Sequence, residues 1–503
     1  MRAFKYFLLA SVVIGSVSMR AENNSTSHST ATLDQRITVW LTTSDQKNLV
    51  TRQPAPKISA LTPGQNLIEV WEDKPAQEID GFGANFSDLT AYLTTYDMSS
   101  EKRRQLYRSL FSKEAGAGFD IVRLSIGAND QVYDKQYNVK ATTYDDNGGK
   151  PDYQLTNFSI AHDEQYLIPR LREAFQINPS LKVLATVWWQ PSWLVVKDTQ
   201  TCGVGNGRPY LMADPNHYDT YAQLLVKYIQ QFSSQGIRIW AVEPQNEPQC
   251  GGQTQQNIEM PAEKQAIFIR DFLYPAFQKQ KIAAGIIPNV DQYCDSKRVT
   301  TRYVDTFLKD PLLQAKILGT SWHGYCTPAA SASFMSKVLK SNPLFKVYQT
   351  EVGYSAPYQW KNLTRQDGGS SDVIAVLRNG GSAFLWHALA NSTKGDLGTC
   401  DATYCGPLLE IDRATSEVHY LMPYYVLEHF SRFLYRGSER LESTANGILE
   451  NVAFRNRDGS VVLVVANTDQ VEERSFSVKS KEVSFSYQLP PNSIATFRWA
   501  NGD

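Results

Sequence analysis

The sequence has no surplus of either charge: 50 Lys and Arg stand against 51 Asp and Glu, for a net charge of -1. That balance removes the positive excess on which bulk nucleic-acid binding runs. After the N-terminal segment no apolar run reaches about 18 residues, so no integral membrane span is expected and the mature chain reads as soluble. There is no CxxC pair and no HExxH, so the usual zinc frameworks are missing. Gly81-Phe82-Gly83-Ala84-Asn85 ends an apolar segment as a nucleotide loop does, but lacks the third glycine of a dinucleotide fingerprint. Cysteine is scarce, with six in 503 residues, and the seven histidines are scattered.

What is present is enough for a large folded body. At roughly 100–200 residues per domain the chain has room for about two to four domains. It is 42% hydrophobic, which supports a sizeable core. Ten Trp and 26 Tyr fit either a sugar-stacking surface or an aromatic-rich core, and composition alone favours the core. Arg2 and Lys5 precede a mostly apolar run from Tyr6 to about Met19, with Ala21 as a small residue for cleavage. Residues 1–21 therefore read as a secretory signal peptide, and the expected location is secreted, periplasmic or extracellular. The Ser/Thr/Asn-rich stretch 22–35 reads as a disordered linker. Cys202, Cys250, Cys294, Cys326, Cys400 and Cys405 allow up to three disulfides in an exported chain. Cys400 and Cys405 can close one small loop, and the other four allow three pairings. Sequons stand at Asn23, Asn24, Asn85, Asn157, Asn362 and Asn391.

From 76 to 432 short apolar runs alternate with amphipathic helical stretches. The runs are Ile79–Asn85, Phe119–Ile126, Lys182–Trp189, Ile237–Glu243, Lys281–Ile287, Lys316–His323, Phe345–Thr350 and Gly381–Ala390. Most are continuously apolar, as parallel strands covered on both faces are. Eight such units predict an α/β fold, a (β/α)₈ TIM barrel, with a doubly wound sheet as the rival. From 433 to 503 the pattern changes to short strands separated by turns such as Asn456-Arg457-Asp458-Gly459, which predicts an appended antiparallel β-sandwich. Residues 36–75 are strand-like and are expected to join that sandwich.

Barrel enzymes keep their chemistry where strands end. Strand four ends in Gln245-Asn246-Glu247-Pro248, and strand seven in Thr350-Glu351-Val352. A carboxylate at the end of an apolar strand is out of place unless it is used. Three strands apart in an eight-stranded barrel, Glu247 and Glu351 face each other across the mouth. Two opposed carboxylates, one protonated and one ionised, suit glycoside hydrolysis.

An ordered series of motifs resembles glycoside hydrolase family 30, which includes glucosylceramidases and β-1,6-glucanases, over about residues 36–500. Asp80-Gly81-Phe82-Gly83 with Ser87-Asp88 resembles the family's first strand, and Arg123 with Asp130 its second. Trp188-Trp189-Gln190-Pro191-Ser192-Trp193 resembles the segment after the third. Asn246-Glu247-Pro248, His323-Gly324-Tyr325, Thr350-Glu351 and Trp386 through Asn391 resemble the later strand ends, and Asp458–Val464 with Asn467 resembles the sandwich. The resemblance implies Glu351 as nucleophile and Glu247 as general acid and base. It implies Arg123 and Tyr325 as holders of the Glu351 charge, and Asn246 as donor to the sugar 2-hydroxyl. Asp130 would accept from the 4- and 6-hydroxyls. Trp188 and Trp386 would hold the sugar, with His323 and Asn391 nearby. His217 and His387 read as packing residues.

The implied substrate is a β-glucoside, either a glycolipid or a glucan, and neither metal nor cofactor is implied. An endo-β-1,6-glucanase is the close alternative to a glucosylceramidase. A xylan hydrolase fits less well, because Asp130 is suited to a 6-hydroxyl. A non-catalytic sugar-binding barrel would be expected to lack one glutamate. The sequence departs from the family at Glu243-Pro244, an extra carboxylate and a proline, and at Gly324, where the better-known glucosylceramidase has a tryptophan. The aglycone and the oligomeric state stay open.

Overall fold

The structure, a computed structural model, describes residues 37–56, 66–127, 143–197, 209–248, 258–292, 297–325, 328–343, 345–354, 358–366, 368–393, 406–481 and 483–500. The segments expected as leader and linker, Asp130 and all six cysteines lie outside these residues. Among the described residues no helix is long and apolar enough to cross a membrane.

A parallel barrel forms the larger part. Its strands are β1 (Gly81–Asn85), β2 (Ile121–Ile126), β3 (Lys182–Val187), β4 (Ile239–Glu243), β5 (Gly285–Ile286 and Asn289–Gln292), β6 (Gly319–His323), β7 (Lys346–Glu351) and β8 (Gly381–Trp386). β8 pairs with β1. The two segments of β5 pair with β4 and β6, which closes the ring. The expected β5 stops at Ile287 because Pro288 has no N–H to give a ladder. The strand resumes beyond it, and the Pro288 carbonyl accepts from the Ser321 N–H at 3.1 Å. The helix Pro215–Ser234 shows why the elements begin where they do. Asp214 accepts from the backbone of Asn216 and His217 at its N-terminus, and Pro215 occupies the first turn.

The barrel interior is built in layers set by the two-residue period of strands. At the floor, Asp80 accepts from Lys182 Nζ at 2.6 Å, Lys346 Nζ at 2.8 Å and the Tyr348 hydroxyl at 3.1 Å. Above it lies an apolar plug of Ile121, Leu184, Ala241, Ile287, Ala383 and Leu385. Two residues further along β2, β3 and β4 stand Arg123, Thr186 and Glu243, at the mouth. The Asp80 motif read from the sequence thus belongs to the end of the barrel away from the strand-end glutamates.

The second unit is a nine-stranded, largely antiparallel β-sandwich. Ile37–Thr43 pairs along its whole length with Ser493–Trp499, so both ends of the described chain lie in it. The long strand Asn66–Glu78 pairs with Glu439–Ser443 and, in parallel, with Arg474–Lys479. Val461–Asn467 is completely buried at its centre. His429, on the helix Met422–Ser431, bridges the units through Thr496 and Thr42, each at 2.8 Å. Burial pushes its imidazole down to about 3, so it is neutral there.

Replacing Asp80 with Ala leaves the buried Lys182 ammonium unpaired. A loss of about 3–5 kcal/mol is expected in urea unfolding at neutral pH. Burial raises the Asp80 carboxyl, but the ammonium groups of Lys182 and Lys346 pull it below its ordinary value. Its contribution is therefore full above the unfolded-chain pKa of about 3.9 and fades as the pH falls below it.

Candidate active site

Six of the sequence-predicted residues meet at the mouth, and Arg123 joins them. Its side chain is 1% exposed. Nε donates to Thr186 Oγ1 at 2.9 Å and to Glu243 Oε2 at 3.1 Å. Nη1 donates to Glu351 Oε2. Nη2 donates to Asn246 Oδ1 at 2.7 Å and lies 3.5 Å from His323 Nε2. Arginine carries no acceptor, so the Asn246 amide is fixed with its oxygen toward Arg123 and its NH₂ turned the other way.

Glu351 is the last residue of β7. The Tyr325 hydroxyl donates to its Oε1 at 2.6 Å. His323 Nε2 stands 3.7 Å from Oε2. Burial raises the Glu351 carboxyl, yet the charges of His323, Arg123 and His387 and the Tyr325 hydroxyl hold it down at about 2. It is ionised at neutral pH. Glu247 lies four residues beyond β4, at φ +39° and partly exposed, and accepts at Oε1 from His323 Nδ1 at 3.0 Å. Burial lowers the His323 imidazole, but Glu351 and Glu247 outweigh it and raise it. One oxygen of each glutamate and a His323 nitrogen fall within 4.8 Å of one another. That spacing would also suit a metal, but the Glu351 oxygens already accept from Arg123 and Tyr325, and a cation would face the guanidinium.

A buried network holds the loop after β4. Gln190 Nε2 donates to Gln245 Oε1 at 2.6 Å and to the Tyr221 hydroxyl at 3.0 Å, and that hydroxyl donates to the Pro244 carbonyl. The Asn246 N–H donates to the Val187 carbonyl at 2.6 Å.

Trp188 is 4% exposed, lies 5.7 Å over Arg123 and stacks on His387 at 5.8 Å. Among the described residues its indole N–H has no partner. Trp386 stands differently: its N–H donates to the Gly406 carbonyl at 2.9 Å, between Tyr354 and Tyr358. Asn391 Oδ1 accepts from the Ser392 N–H at 2.8 Å, and among the described residues no hydrogen bond joins it to either glutamate. His217 lies in the first turn of its helix, and its Nδ1 hydrogen-bonds the carboxylate of the capping Asp214. His387, expected as packing, is in the site: it stacks on Trp188, bonds Asn85 at 3.0 Å and helps hold Glu351 ionised. Thr186 and Thr350 carry no sequence signal, since a threonine in a strand is ordinary. Glu243 does carry one, as a charge in an apolar strand.

The arrangement pairs an ionised carboxylate with a second, more accessible one. Changing Tyr325 to Phe removes a donor to the ionised form. The Glu351 pKa should rise by about one unit, measured by ¹³C titration of labelled carboxyls.

Comparison with known proteins gives the family. Residues 79–434 match the glycosyl hydrolase family 30 TIM-barrel domain, and 437–497 match the family's beta sandwich domain. The lysosomal acid glucosylceramidase of Mus musculus is 27% identical over 454 residues, covering 86% of this chain and 83% of that one. The endo-1,6-beta-D-glucanase neg1 of Aspergillus fumigatus is 27% identical over 407 residues, 78% of this chain and 79% of that one. The solved endo-beta1,6-glucanase BT3312 shares the fold at a TM-score of 0.79 and 24% identity, covering 93% of this chain and 100% of that one. With both domain models matched over most of its length, the chain belongs to glycosyl hydrolase family 30 and is a glycoside hydrolase.

Proposed function

We propose that the protein hydrolyses a β-glucosidic bond with retention of configuration, Glu351 acting as nucleophile and Glu247 as acid and then base. The carrying observation is the approach of the two glutamates to within 4.8 Å. Retaining enzymes hold their carboxyls about 5–5.5 Å apart, whereas inverting ones leave about 6.5–9.5 Å for a water. Glu351 is held ionised, as a nucleophile must be. It attacks the anomeric carbon while Glu247 gives its proton to the leaving oxygen. Glu247 then takes a proton from the water that cleaves the glycosyl-enzyme ester. The outward NH₂ of Asn246 suits the 2-hydroxyl, whose contact tightens in the transition state. The Trp188 N–H, which has no partner among the described residues, is a second donor for the sugar.

The mouse and Aspergillus relatives are named for a glucosylceramide and a 1,6-β-glucan substrate, and a β-glucoside is common to both. The first reading is a glucosylceramidase-like enzyme. The second, an endo-β-1,6-glucanase, is supported by Gly324. It leaves no side chain between His323 and Tyr325, and an added Cβ would lie 2.7 Å from Gln349 Nε2. The apolar leader ending near Met19 supports export, which N-terminal sequencing of secreted protein beginning near Glu22 would bear out.

The test is hydrolysis of 4-nitrophenyl β-glucoside, β-1,6-glucan and detergent-dispersed glucosylceramide, with the first-formed anomer read by NMR. The β-anomer should appear first. Glu351→Gln should lose activity by about 10³-fold or more. Glu247→Gln should lose less on the aryl glucoside, whose leaving group needs little protonation. The α-anomer appearing first, or full activity in Glu351→Gln, refutes the mechanism. The preferred substrate decides the aglycone.

A further inference from the structure

Among the described residues, Glu243 is the one carboxylate of the mouth for which the proposed reaction has no use. It is 0% exposed, and both its oxygens are committed within the barrel. Oε2 accepts from Arg123 Nε at 3.1 Å and from the Thr186 hydroxyl, and Oε1 accepts from the Thr350 hydroxyl at 2.8 Å. One side chain on β4 thereby ties β2, β3 and β7. An ion pair buried like this one gains little over well-packed apolar residues, so stability alone gives no reason for it. It also places a second negative charge on the arginine that serves Glu351, which an inert scaffold would avoid.

Geometry supplies a reason. A guanidinium on a flexible stem can turn, and its orientation decides which groups it serves. Glu243 and Thr186 occupy the Nε edge, so Nη1 is turned onto Glu351 and Nη2 onto Asn246. Thr350, held by the other oxygen, is the backbone neighbour of Glu351. Charge follows the same logic. Arg123, Glu243 and Glu351 together carry one excess negative charge, and the Glu351 carboxylate within it raises the His323 imidazole that it faces.

On the reading that Glu351 and Glu247 carry out the reaction, we infer that Glu243 is a positioning residue. It orients Arg123 and Thr350 toward the nucleophile and fixes the electrostatic balance of the mouth. It never touches substrate. The charged and titratable groups facing it and its partners are Arg123 on β2, His323 and Tyr325 at the end of β6, Glu351 on β7, His387 after β8 and Glu247 after β4.

Two variants separate charge from reach. Glu243→Gln keeps the shape and removes the charge. With that negative charge gone, the protonated forms of Glu351 and His323 are less favoured. Both limbs of the pH profile of kcat/KM should then move down by about one unit, and kcat should fall about 10- to 100-fold, with KM changed little. Glu243→Asp keeps the charge but is one methylene too short to hold Arg123 and Thr350 together. Its kcat should fall about 10-fold with both limbs unmoved. Circular dichroism melting shows which variants fold. A folded Glu243→Gln enzyme with wild-type kcat and wild-type pH limbs overturns the inference. If Glu243→Gln does not fold, Glu243→Asp decides: reduced kcat at unchanged KM supports the inference, and wild-type kcat overturns it. Failure of the underlying reading is distinct, because Glu351→Gln would then stay active whatever Glu243 does.

Discussion

The buried guanidinium of Arg123 is the contact on which the mouth of this barrel depends. It reaches a threonine, two carboxylates and an amide from one strand position. Charge-assisted hydrogen bonds of this kind are the strong ones, and in a site closed to water they gain further. An arginine 1% exposed cannot stay unpaired, since an isolated buried charge costs far more than any single contact returns. The partners are equally bound to it. Without Arg123, Glu243 and Glu351 would repel each other inside the barrel, and burial would drive at least one of them to take up a proton. The ionised state of Glu351 and the orientation of Asn246 are thus two consequences of one placement.

The general acid is held by a different device. Glu247 sits outside the strand, in a loop fixed from below by the Gln190, Gln245 and Tyr221 network. Its φ of +39° is a left-handed conformation that costs a non-glycine residue energy. Such strain persists only where the surroundings over-determine it, and it clusters at working sites. Here the strained backbone turns the carboxyl back toward His323. The two glutamates therefore differ in kind. One is locked into a strand with every oxygen occupied, as a group that must stay charged requires. The other is carried on a loop, partly exposed, as a group that must gain and lose a proton requires.

Much of this was legible in the sequence, for physical reasons. Parallel strands covered on both faces read as continuous apolar runs, so the eight units stood out, and a glutamate at the end of such a run is conspicuous. Arg123 is less visible: it sits inside its strand, and only the likeness of a motif series drew attention to it. Its partners lie 120 and 228 residues away in Glu243 and Glu351, and no local pattern encodes that meeting. Glu243 showed as an oddity whose use only the fold supplies. His387 looked like packing because an isolated histidine beside apolar residues usually is. Strand five is expected to end at Ile287, whereas it resumes at Asn289 beyond Pro288, and Glu439–Ser443, a charged segment paired on both sides within the sheet, lacks the apolar signature of a buried strand. The sequons at Asn85 and Asn391 are a converse case. The motif is intact, but the side chains are 1% and 3% exposed, so the folded chain offers neither to a glycosylating enzyme.

The register of β7 explains how the mouth is assembled. Along a regular strand, side chains alternate between the barrel interior and the helices outside. Lys346 and Tyr348 follow that rule and reach Asp80 at the floor, and Thr350 continues the inward series to Glu243 at the mouth. By the same alternation Glu351 would point outward. The ladder with β6 departs from regularity at this place: Trp322 pairs with Gln349, and the next residue, His323, pairs with Glu351. Thr350 is the extra residue of a bulge, which redirects the side chain that follows it. Two successive residues thereby serve the interior, one holding Glu243 and the other held by Arg123. The apolar plug lies between floor and mouth beneath them. A local break in strand geometry thus places Glu351 where an unbroken strand would have put it among the helices, and the hydroxyl of the inserted residue ties that break to the β4 carboxylate.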